Sequence, residues 1–293
     1  MNEVKIDALL PAEMATKAED IGVIKSQMPF FKMFMLAVLA GAFIALGAIF
    51  STTVSASGMT IISSDGTVSF STGLPYGITR LFSGVAFCLG LILVVIGGAE
   101  LFTGNNLIVM AWASGKVKLS AMLRNWVIVY FGNFVGAVGT AVIMFFTKQY
   151  TFGGGAVGIT TLNIGVSKSS LEFVQAIALG VLCNALVCMA VWLTFSAHST
   201  VDKIVAIIFP ITAFVVAGFE HSIANMYFIP YALLIKMGDA EFISKVADKV
   251  ANLNQLTWSN FFVNNLIPVT IGNIVGGTVL VAAVYWSIFL RKK

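Results

Sequence analysis

Six long apolar stretches, separated by shorter polar segments, dominate the pattern of hydrophobic and polar positions along this chain. Most of these stretches are close to or longer than the roughly 20 residues that an α-helix needs to cross the hydrocarbon core of a bilayer. The pattern therefore predicts an all-α integral membrane protein with six transmembrane helices. The charge-free runs are Met33 to Phe50, Leu81 to Ala99, Asn125 to Thr147, Phe173 to Ala197, Ile204 to Phe219 and Leu256 to Leu290.

Composition agrees with this interpretation. Of 293 residues, 58% are apolar and only 10% are charged, and the mean hydropathy is +0.95. A chain of this kind cannot hide its apolar residues in one core beneath a polar surface, so most of it must face lipid. The net charge of +4 is spread over the segments that flank the helices, which argues against nucleic-acid binding.

The basic residues indicate the orientation in the membrane. With both termini in the cytoplasm, eleven of them lie on the inner side and five on the outer side, and Arg80 lies at the outer start of a helix. The positive-inside rule therefore favours an even number of crossings in the inner, cytoplasmic membrane with both ends inside. The inner set is Lys5, Lys17, Lys25, Lys32, Lys116, Lys118, Arg124, Lys203, Arg291, Lys292 and Lys293; the outer set is Lys148, Lys168, Lys236, Lys245 and Lys249.

An internal repeat relates the two halves of the chain. Three patterns recur in the same order, GxExxxxN and GNxVG strongly and FxxAxxxG weakly. The first pattern lies at Gly98, Glu100 and Asn105 and again at Gly218, Glu220 and Asn225; the second at Gly132 to Gly136 and Gly272 to Gly276; the third at Phe34, Ala37 and Gly41 and at Phe173, Ala176 and Gly180.

Three spans per copy is an odd number, so the second copy must enter the membrane from the opposite side. The repeat therefore predicts an inverted 3+3 topology. Glycines beside an ionisable residue predict that helices 2 and 5 are broken, which is tolerated only where protein or water satisfies the freed backbone groups. The glycines of GNxVG are expected to let helices pack closely.

Three ionisable residues at membrane depth need partners or a function. Glu100 and Glu220 are expected to cap the half-helix that follows each break, with proton relay as the alternative. His221 has no polar partner nearby in sequence, and the repeat places it opposite Thr103, whose hydroxyl could bond the imidazole. A satisfied core histidine and a functional one both remain open.

The chain divides into a cytoplasmic amphipathic N-terminal helix over 1–28, a pore domain over 29–290 and a cytoplasmic tail over 291–293. The N-terminal helix either anchors at the membrane surface or plugs the cytoplasmic mouth. Two outer loops are expected, from Ser51 to Tyr76 and from Gln149 to Lys168.

Several function classes lack the residues they require. There is no cluster of His, Cys, Asp and Glu at metal-ligand spacing and no GxSxG elbow, so no metal site and no enzyme is expected. A cofactor-bearing subunit needs two axial histidines, whereas one is buried here. An aquaporin-like water or ammonia pore should carry proline after the asparagine at both breaks, which Asn105 and Asn225 lack.

Three segments resemble signatures of the formate/nitrite transporter family. They are GAELFTGN at 98–105, GFEHSIAN at 218–225 and NLIPVTIGN at 265–273, supported by LGVLCNALVCMAVW at 179–192 and LLPAEMATKAE at 9–19. The resemblance covers nearly the whole chain, and the formate channel branch is nearest.

The resemblance implies an aquaporin-like homopentamer in which each protomer conducts formate or a similar small monovalent anion. Nitrite or hydrosulfide is the alternative substrate, and acetate and lactate are further candidates. By resemblance, Thr103 and His221 face each other in a central chamber that Asn184 also lines. Leu91 forms the cytoplasmic constriction, and Leu101 and Phe214 form the other constriction. Lys168 lies in the outer vestibule, and the lining is supported by Phe87, Phe102 and Glu220.

Two departures leave the preferred anion open: Ser169 and Ser170 stand where many members carry histidines, and the first outer loop is longer than usual. The chemistry of anion passage agrees with the resemblance. A small anion that enters an apolar constriction loses hydration and needs a cation or a strong donor close by. Lys168 could attract it, and His221 could donate a hydrogen bond or pass a proton, which would couple transport to acidity.

Overall fold

The computed structural model describes residues 8–56, 59–62, 68–71 and 74–291. Lys5, Lys292 and Lys293, which entered the charge argument, lie outside them. The described chain is almost wholly helical. The shorter elements are α1 Pro11–Ser26, α4 Phe102–Asn105, α5 Val109–Ala113, α7 Ala156–Ser169, α9 Thr200–Val216, α10 Ser222–Gly238 and α11 Ala240–Val246; the long ones are α2 Phe30–Ser55, α3 Tyr76–Ile96, α6 Leu119–Thr147, α8 Phe173–Ser196 and a C-terminal helix Trp258–Phe289.

Five described helices are long and apolar enough to cross a membrane, namely α2, α3, α6, α8 and the C-terminal helix, with mean hydropathies of 1.9 to 2.5. The shortest, α3, has 21 residues and is about 32 Å long at about 1.5 Å per residue, against about 30 Å of hydrocarbon. The chain is therefore an integral membrane protein that crosses the bilayer several times.

The fifth predicted span is not among these five helices. The apolar run from Ile204 to Phe219 forms most of α9, which has 17 residues and is followed after Val216 by a short non-helical turn and then by α10. A similar turn separates α3 from α4.

Both turns leave the preceding helix through a glycine in the left-handed conformation. Gly98 has φ 71° and Gly218 has φ 74°, values at which a side chain is strained. The amide after each glycine closes the helix end: Ala99 N donates to the carbonyl of Val94 at 2.9 Å, and Phe219 N donates to the carbonyl of Phe214 at 3.0 Å. This is the usual termination of a helix by a C′ glycine, and it explains the glycine of GxExxxxN.

Helix packing follows the repeated glycines. α2 packs against α3 and α6, and α8 packs against α9 and the C-terminal helix. A Cβ added to Gly136 would collide with the carbonyl of Val38, and one added to Gly276 would collide with the carbonyl of Val181. The close packing predicted for the GNxVG glycines is therefore confirmed.

The two predicted outer loops contain regular structure. α2 extends to Ser55, and the first segment continues with an antiparallel hairpin of β1 Met59–Ile62 and β2 Val68–Ser71, in which Met59 pairs with Ser71. The expectation of a loop from Gln149 to Lys168 is wrong for most of its length, since α7 occupies it. α7 is helical because it buries Leu162 and Val166 in the protein core, which its many Gly and Thr residues did not signal.

The apolar face of α1 is covered by protein. Met14 and Ala18 are buried in one cluster with Ile108, Met110 and Trp192. α1 therefore lies against the short 3-10 helix Asn106–Ile108, against α5 and against α8. Its apolar side chains contact these elements.

Candidate functional site

Two cavities lie at the turns that precede α4 and α10. The α1-side cavity has a volume of about 290 Å³, and its chemically relevant lining residues are Lys17, Lys25, Leu91, Glu100, Leu101 and Lys203. The α7-side cavity has a volume of about 440 Å³, and its corresponding residues are Arg80, Phe87, Lys168, Phe214, Glu220 and His221.

A buried hydrogen bond joins His221 of the α7-side cavity to Thr103, whose chain neighbour Gly104 lines the α1-side cavity. Thr103 Oγ1 lies 2.9 Å from His221 Nε2, and the two side chains are 0% and 3% exposed. Each residue stands at the start of the helix that follows a turn, α4 or α10. The contact predicted between Thr103 and His221 is therefore present.

The second ring nitrogen fixes the position of the imidazole proton. The backbone N–H of Ala224 donates to His221 Nδ1 at 3.1 Å, so Nδ1 accepts and the neutral ring carries its proton on Nε2. We infer that Nε2 donates to the hydroxyl of Thr103, which leaves the hydroxyl proton of Thr103 able to donate to another acceptor.

Aromatic and aliphatic side chains surround this pair. The rings of Phe87 and Phe214 meet edge to face with centroids 5.5 Å apart, and the Phe214 ring lies 6.0 Å from that of His221. Leu101 lines the same cavity as Leu91, whereas Phe214 lines the other. This differs from the expected grouping of Leu101 with Phe214, because the turn before α4 directs Leu101 toward the α1 side.

Three predicted site residues, Thr103, Phe102 and Asn184, line neither cavity. The ring of Phe102 packs against Tyr130 of α6, with centroids 5.0 Å apart. Asn184 is fully buried, and its amide nitrogen donates to the backbone carbonyl of Thr103 at 3.3 Å and to Asn106 Oδ1 at 2.8 Å. Asn184 therefore holds the backbone that presents the threonine.

Glu100 is held by side chains from two helices. Its Oε1 accepts from Lys25 Nζ at 2.8 Å, and its Oε2 accepts from Asn105 Nδ2 at 2.7 Å. Asn125 of α6 completes this cluster by accepting from Asn105 at 2.9 Å.

Glu220 is held in the same way in the second half. Its Oε1 accepts from Lys168 Nζ at 2.7 Å, and its Oε2 accepts from Asn225 Nδ2 at 2.6 Å. Asn265 of the C-terminal helix takes the place of Asn125, at 2.7 Å from Asn225. The prediction that the glutamates cap the following half-helices is therefore wrong, because both carboxylates are engaged by lysine and asparagine.

The caps come instead from the asparagines of GNxVG and, in α10, also from His221 Nδ1, which accepts from Ala224 N–H. Asn133 Oδ1 accepts from the backbone N–H of Phe102 at 2.9 Å, and Asn273 Oδ1 accepts from that of Ser222 at 2.9 Å. Sequence reasoning assigned this motif only to glycine packing. The available signal was an asparagine at the same position in both copies, within an otherwise apolar helix.

The described lining of each cavity carries more positive than negative side chains. Three lysines accompany Glu100 on the α1 side, and Arg80 and Lys168 accompany Glu220 on the α7 side. Concave, low-dielectric walls concentrate such a field and raise the local concentration of anions. The arrangement favours passage of an anion over that of a cation.

Comparison with known proteins gives consistent matches over almost the full length. The family model for formate/nitrite transporters matches residues 12–287. The formate channel FocA of Escherichia coli (strain K12) is 42% identical over 287 residues, which cover 98% of this chain and 96% of the relative. The formate channel FocA of Haemophilus influenzae is 38% identical over 275 residues, covering 94% of this chain and 92% of the relative.

A solved structure supports the same assignment. A pentameric formate channel with formate bound superposes with a TM-score of 0.77 at 46% identity, over 89% of this chain and 98% of that chain. Sequence and fold thus agree, and the chain belongs to the formate/nitrite transporter family.

Proposed function

We propose that this protein is a membrane channel for formate and similar small monovalent anions, assembled as a homopentamer with one pore in each protomer. The relatives named above are formate channels, and the solved structure is a pentamer with formate bound. Nitrite or hydrosulfide is the alternative substrate within the family.

The observation that carries the proposal is the sequence of environments around His221. One cavity with surplus positive charge is lined by His221, and the other is lined by Leu101 and Gly104, which flank Thr103 in the chain; the buried hydrogen bond of Thr103 and His221 connects the two regions. The cations offset the dehydration of an arriving anion, and the donors replace water where the walls are apolar. The one carboxylate in the described lining of each cavity, Glu100 or Glu220, is already paired with a lysine.

The proposed architecture has six crossings in the inner membrane, arranged as an inverted 3+3 repeat of aquaporin-like form with both termini cytoplasmic. α3 with α4 and α5 forms the broken second crossing, and α9 with α10 forms the broken fifth. The matching contacts around Glu100 and Glu220 support the repeat. Residues 29–290 then form the pore, 1–28 the cytoplasmic N-terminal segment and 291–293 the tail.

Each site residue has a role in this proposal. Thr103 donates its hydroxyl proton to the anion at the narrow part of the pore, and His221 donates to the anion when the anion displaces the hydroxyl of Thr103 from Nε2. Apolar side chains strip its water, and the remaining residues hold the lining in place. The apolar set is Leu91, Leu101, Phe87 and Phe214, and the supporting set is Asn184, Phe102, Glu220 and Lys168.

Proton transfer from His221 to the anion is a second possible step, which would couple flux to acidity. It requires a proton at Nδ1, and the hydrogen bond from Ala224 N–H must first break to admit one. The geometry therefore favours hydrogen-bond donation over proton transfer as the role of His221.

Flux into proteoliposomes tests the proposal. Labelled formate, nitrite and hydrosulfide are compared at about pH 5.5 and about pH 7.5, on either side of the ordinary histidine pKa, with potassium and glycerol as cation and neutral controls. We expect formate to pass and both controls to be excluded. Entry of glycerol or potassium at the rate of formate would contradict anion conduction.

Two variants separate the roles of the buried pair. Thr103→Val preserves shape and removes the hydroxyl, and His221→Phe removes both ring nitrogens. If the pair only donates, both variants lower formate flux by about tenfold at both pH values. Selective loss of acid-stimulated flux in His221→Phe would instead establish proton transfer.

A further inference from the structure

The two cations of the α7-side cavity have different partners. Lys168 Nζ lies 2.7 Å from Glu220 Oε1, and the lysine and glutamate side chains are only 17% and 7% exposed. The same ammonium lies 5.4 Å from the centre of the Phe228 ring. The charge of Lys168 is thus largely balanced before any anion arrives.

Arg80 lines the same cavity without such a partner. Among the ion pairs of the described residues, none includes Arg80. Its Nη2 donates to the backbone carbonyl of Val215 at the end of α9. Its Nε is buried and has no hydrogen-bond partner within the described chain.

A guanidinium suits a small carboxylate better than an ammonium does. It offers five N–H donors in a plane, and its fork can bind both oxygens of one carboxylate. Within the described chain only one nitrogen of Arg80 is engaged by protein, so donors remain for a ligand. Its charge is permanent and, unlike that of Lys168, forms no salt bridge with a carboxylate of the described residues.

We infer that Arg80 is the anion-capturing residue of the α7-side cavity and binds a small monovalent carboxylate before it reaches His221. This inference rests on the proposed anion channel and assigns its capture step. Lys168 then acts with Glu220 as a fixed pair that shapes the cavity wall.

The decisive variant is Arg80→Gln, measured as formate uptake into proteoliposomes at low ionic strength. Glutamine keeps an N–H that can reach the carbonyl of Val215 and removes the charge. The half-saturating formate concentration should rise about threefold to tenfold, as electrostatic attraction of this size predicts, while maximal flux changes less than about twofold. The wild-type loss of uptake on adding salt should flatten in the variant.

Lys148→Gln is the matched control. It removes one positive charge at the same end of the molecule, where the neighbouring Gln149 Nε2 donates to Thr53 Oγ1 at 2.9 Å. Lys148 lines a separate groove with Asp239 and Glu241. Its half-saturating concentration and salt dependence should match those of the wild type. Arg80→Lys, which keeps the charge without the fork, should fall between Arg80→Gln and the wild type.

A measurement on the unaltered protein keeps the inference testable even if the variants misfold. Formate should protect Arg80 saturably from a dicarbonyl reagent, read by peptide mass spectrometry, and should not protect Arg124. Absence of protection, or an unchanged half-saturation and salt dependence in folded Arg80→Gln, would overturn the capture role and leave Arg80 as a structural clamp on α9. Absence of formate uptake by the wild type would instead reject the proposed function.

Discussion

Asn133 and Asn273 make the same three hydrogen bonds in the two halves of the protein. Beyond the helix starts that each caps, Asn133 Nδ2 donates to the carbonyls of Ala37 and Glu100 at 2.8 and 2.9 Å. Asn273 Nδ2 donates to the carbonyls of Gly180 and Glu220 at 2.8 and 2.9 Å. Gly180 thus takes the place of Ala37, so the weak FxxAxxxG pattern, which pairs Ala37 with Ala176, is wrong by one helical turn. Each asparagine thus binds both sides of one turn. Asn133 holds the start of α4, which contains Thr103, and Asn273 holds the start of α10, which His221 precedes.

Replacing either asparagine should therefore destabilise the protein by a similar amount. Asn133→Ala and Asn273→Ala each remove the acceptor of a buried N–H and the donor to two carbonyls, one of which keeps its bond within a helix, so we expect a loss of about 2 to 4 kcal/mol. Thermal unfolding in detergent measures this loss. Asn254→Ala, at an exposed position, should shift the midpoint little. A large effect of only one of the two buried variants would contradict equivalent roles.

The buried pair of Lys168 and Glu220 should show strong coupling. Lys168→Met leaves the carboxylate of Glu220 without its counter-charge, and Glu220→Gln leaves the ammonium of Lys168 without one. Each single change should lower the free energy of unfolding by about 3 to 5 kcal/mol. The double variant removes both charges and should recover most of that loss. A double-mutant cycle of unfolding midpoints measures the coupling, and simple additivity of the two losses would show that the pair does not act as a unit.

Two glycines test the close helix contacts. Gly276→Ala places a methyl group against the carbonyl of Val181, so α8 and the C-terminal helix must separate, and we expect a loss of about 1 to 3 kcal/mol. Gly139→Ala adds the same methyl group where no heavy atom lies within 4 Å, and it should be neutral or stabilise by up to about 1 kcal/mol. Equal unfolding midpoints for the two variants would refute the packing argument.

Acid should loosen the surface around α11. The hydroxyl of Tyr150 donates to Asp239 Oδ2 at 2.6 Å, and Phe242 N donates to Oδ1 at 2.9 Å. These bonds, with that from Tyr150 the larger cause, lower the pKa of Asp239 below its ordinary value.

The sign of the pH effect follows from this depressed pKa. The contribution of Asp239 is fully present above its unfolded pKa of about 3.9 and is lost as the pH falls through the lower folded value. The protection factors of the α11 amides against hydrogen exchange, which correct for the intrinsic effect of pH on the rate, should therefore fall in strong acid. In Asp239→Asn the exchange should already be faster at neutral pH and respond less to acid; an identical acid response would exclude Asp239 as the cause.

Sequence patterns sufficed for much of the membrane fold and for the buried pair. The apolar runs located the five long helices, because lipid-facing segments must be apolar along their whole length. The repeated GxExxxxN motif located both turns, since glycine and an ionisable residue rarely share an apolar run without a structural reason. Register between the copies then placed Thr103 near His221.

Other features depend on contacts between distant segments, which local patterns do not encode. The partners of Glu100 and Glu220 come from other helices, so a local capping rule gave the wrong acceptor. α7 is stabilised by burial of Leu162 and Val166 despite its many small residues. Arg80 was interpreted only as a topology marker, because its place in the α7-side cavity, without a salt bridge to the described residues, becomes visible only when α3 and α9 are packed together.

The origin of the two caps constrains the order in which the protein matures on the ribosome. The turn before α4 stays uncapped until α6, which carries Asn133, has entered the bilayer. At the start of α10, His221 caps the N–H of Ala224 locally, but the N–H of Ser222 must wait for Asn273 near the end of translation. A nascent chain halted before Asn273 therefore holds one finished half and one unfinished half, and quality-control proteases should distinguish it from the completed product.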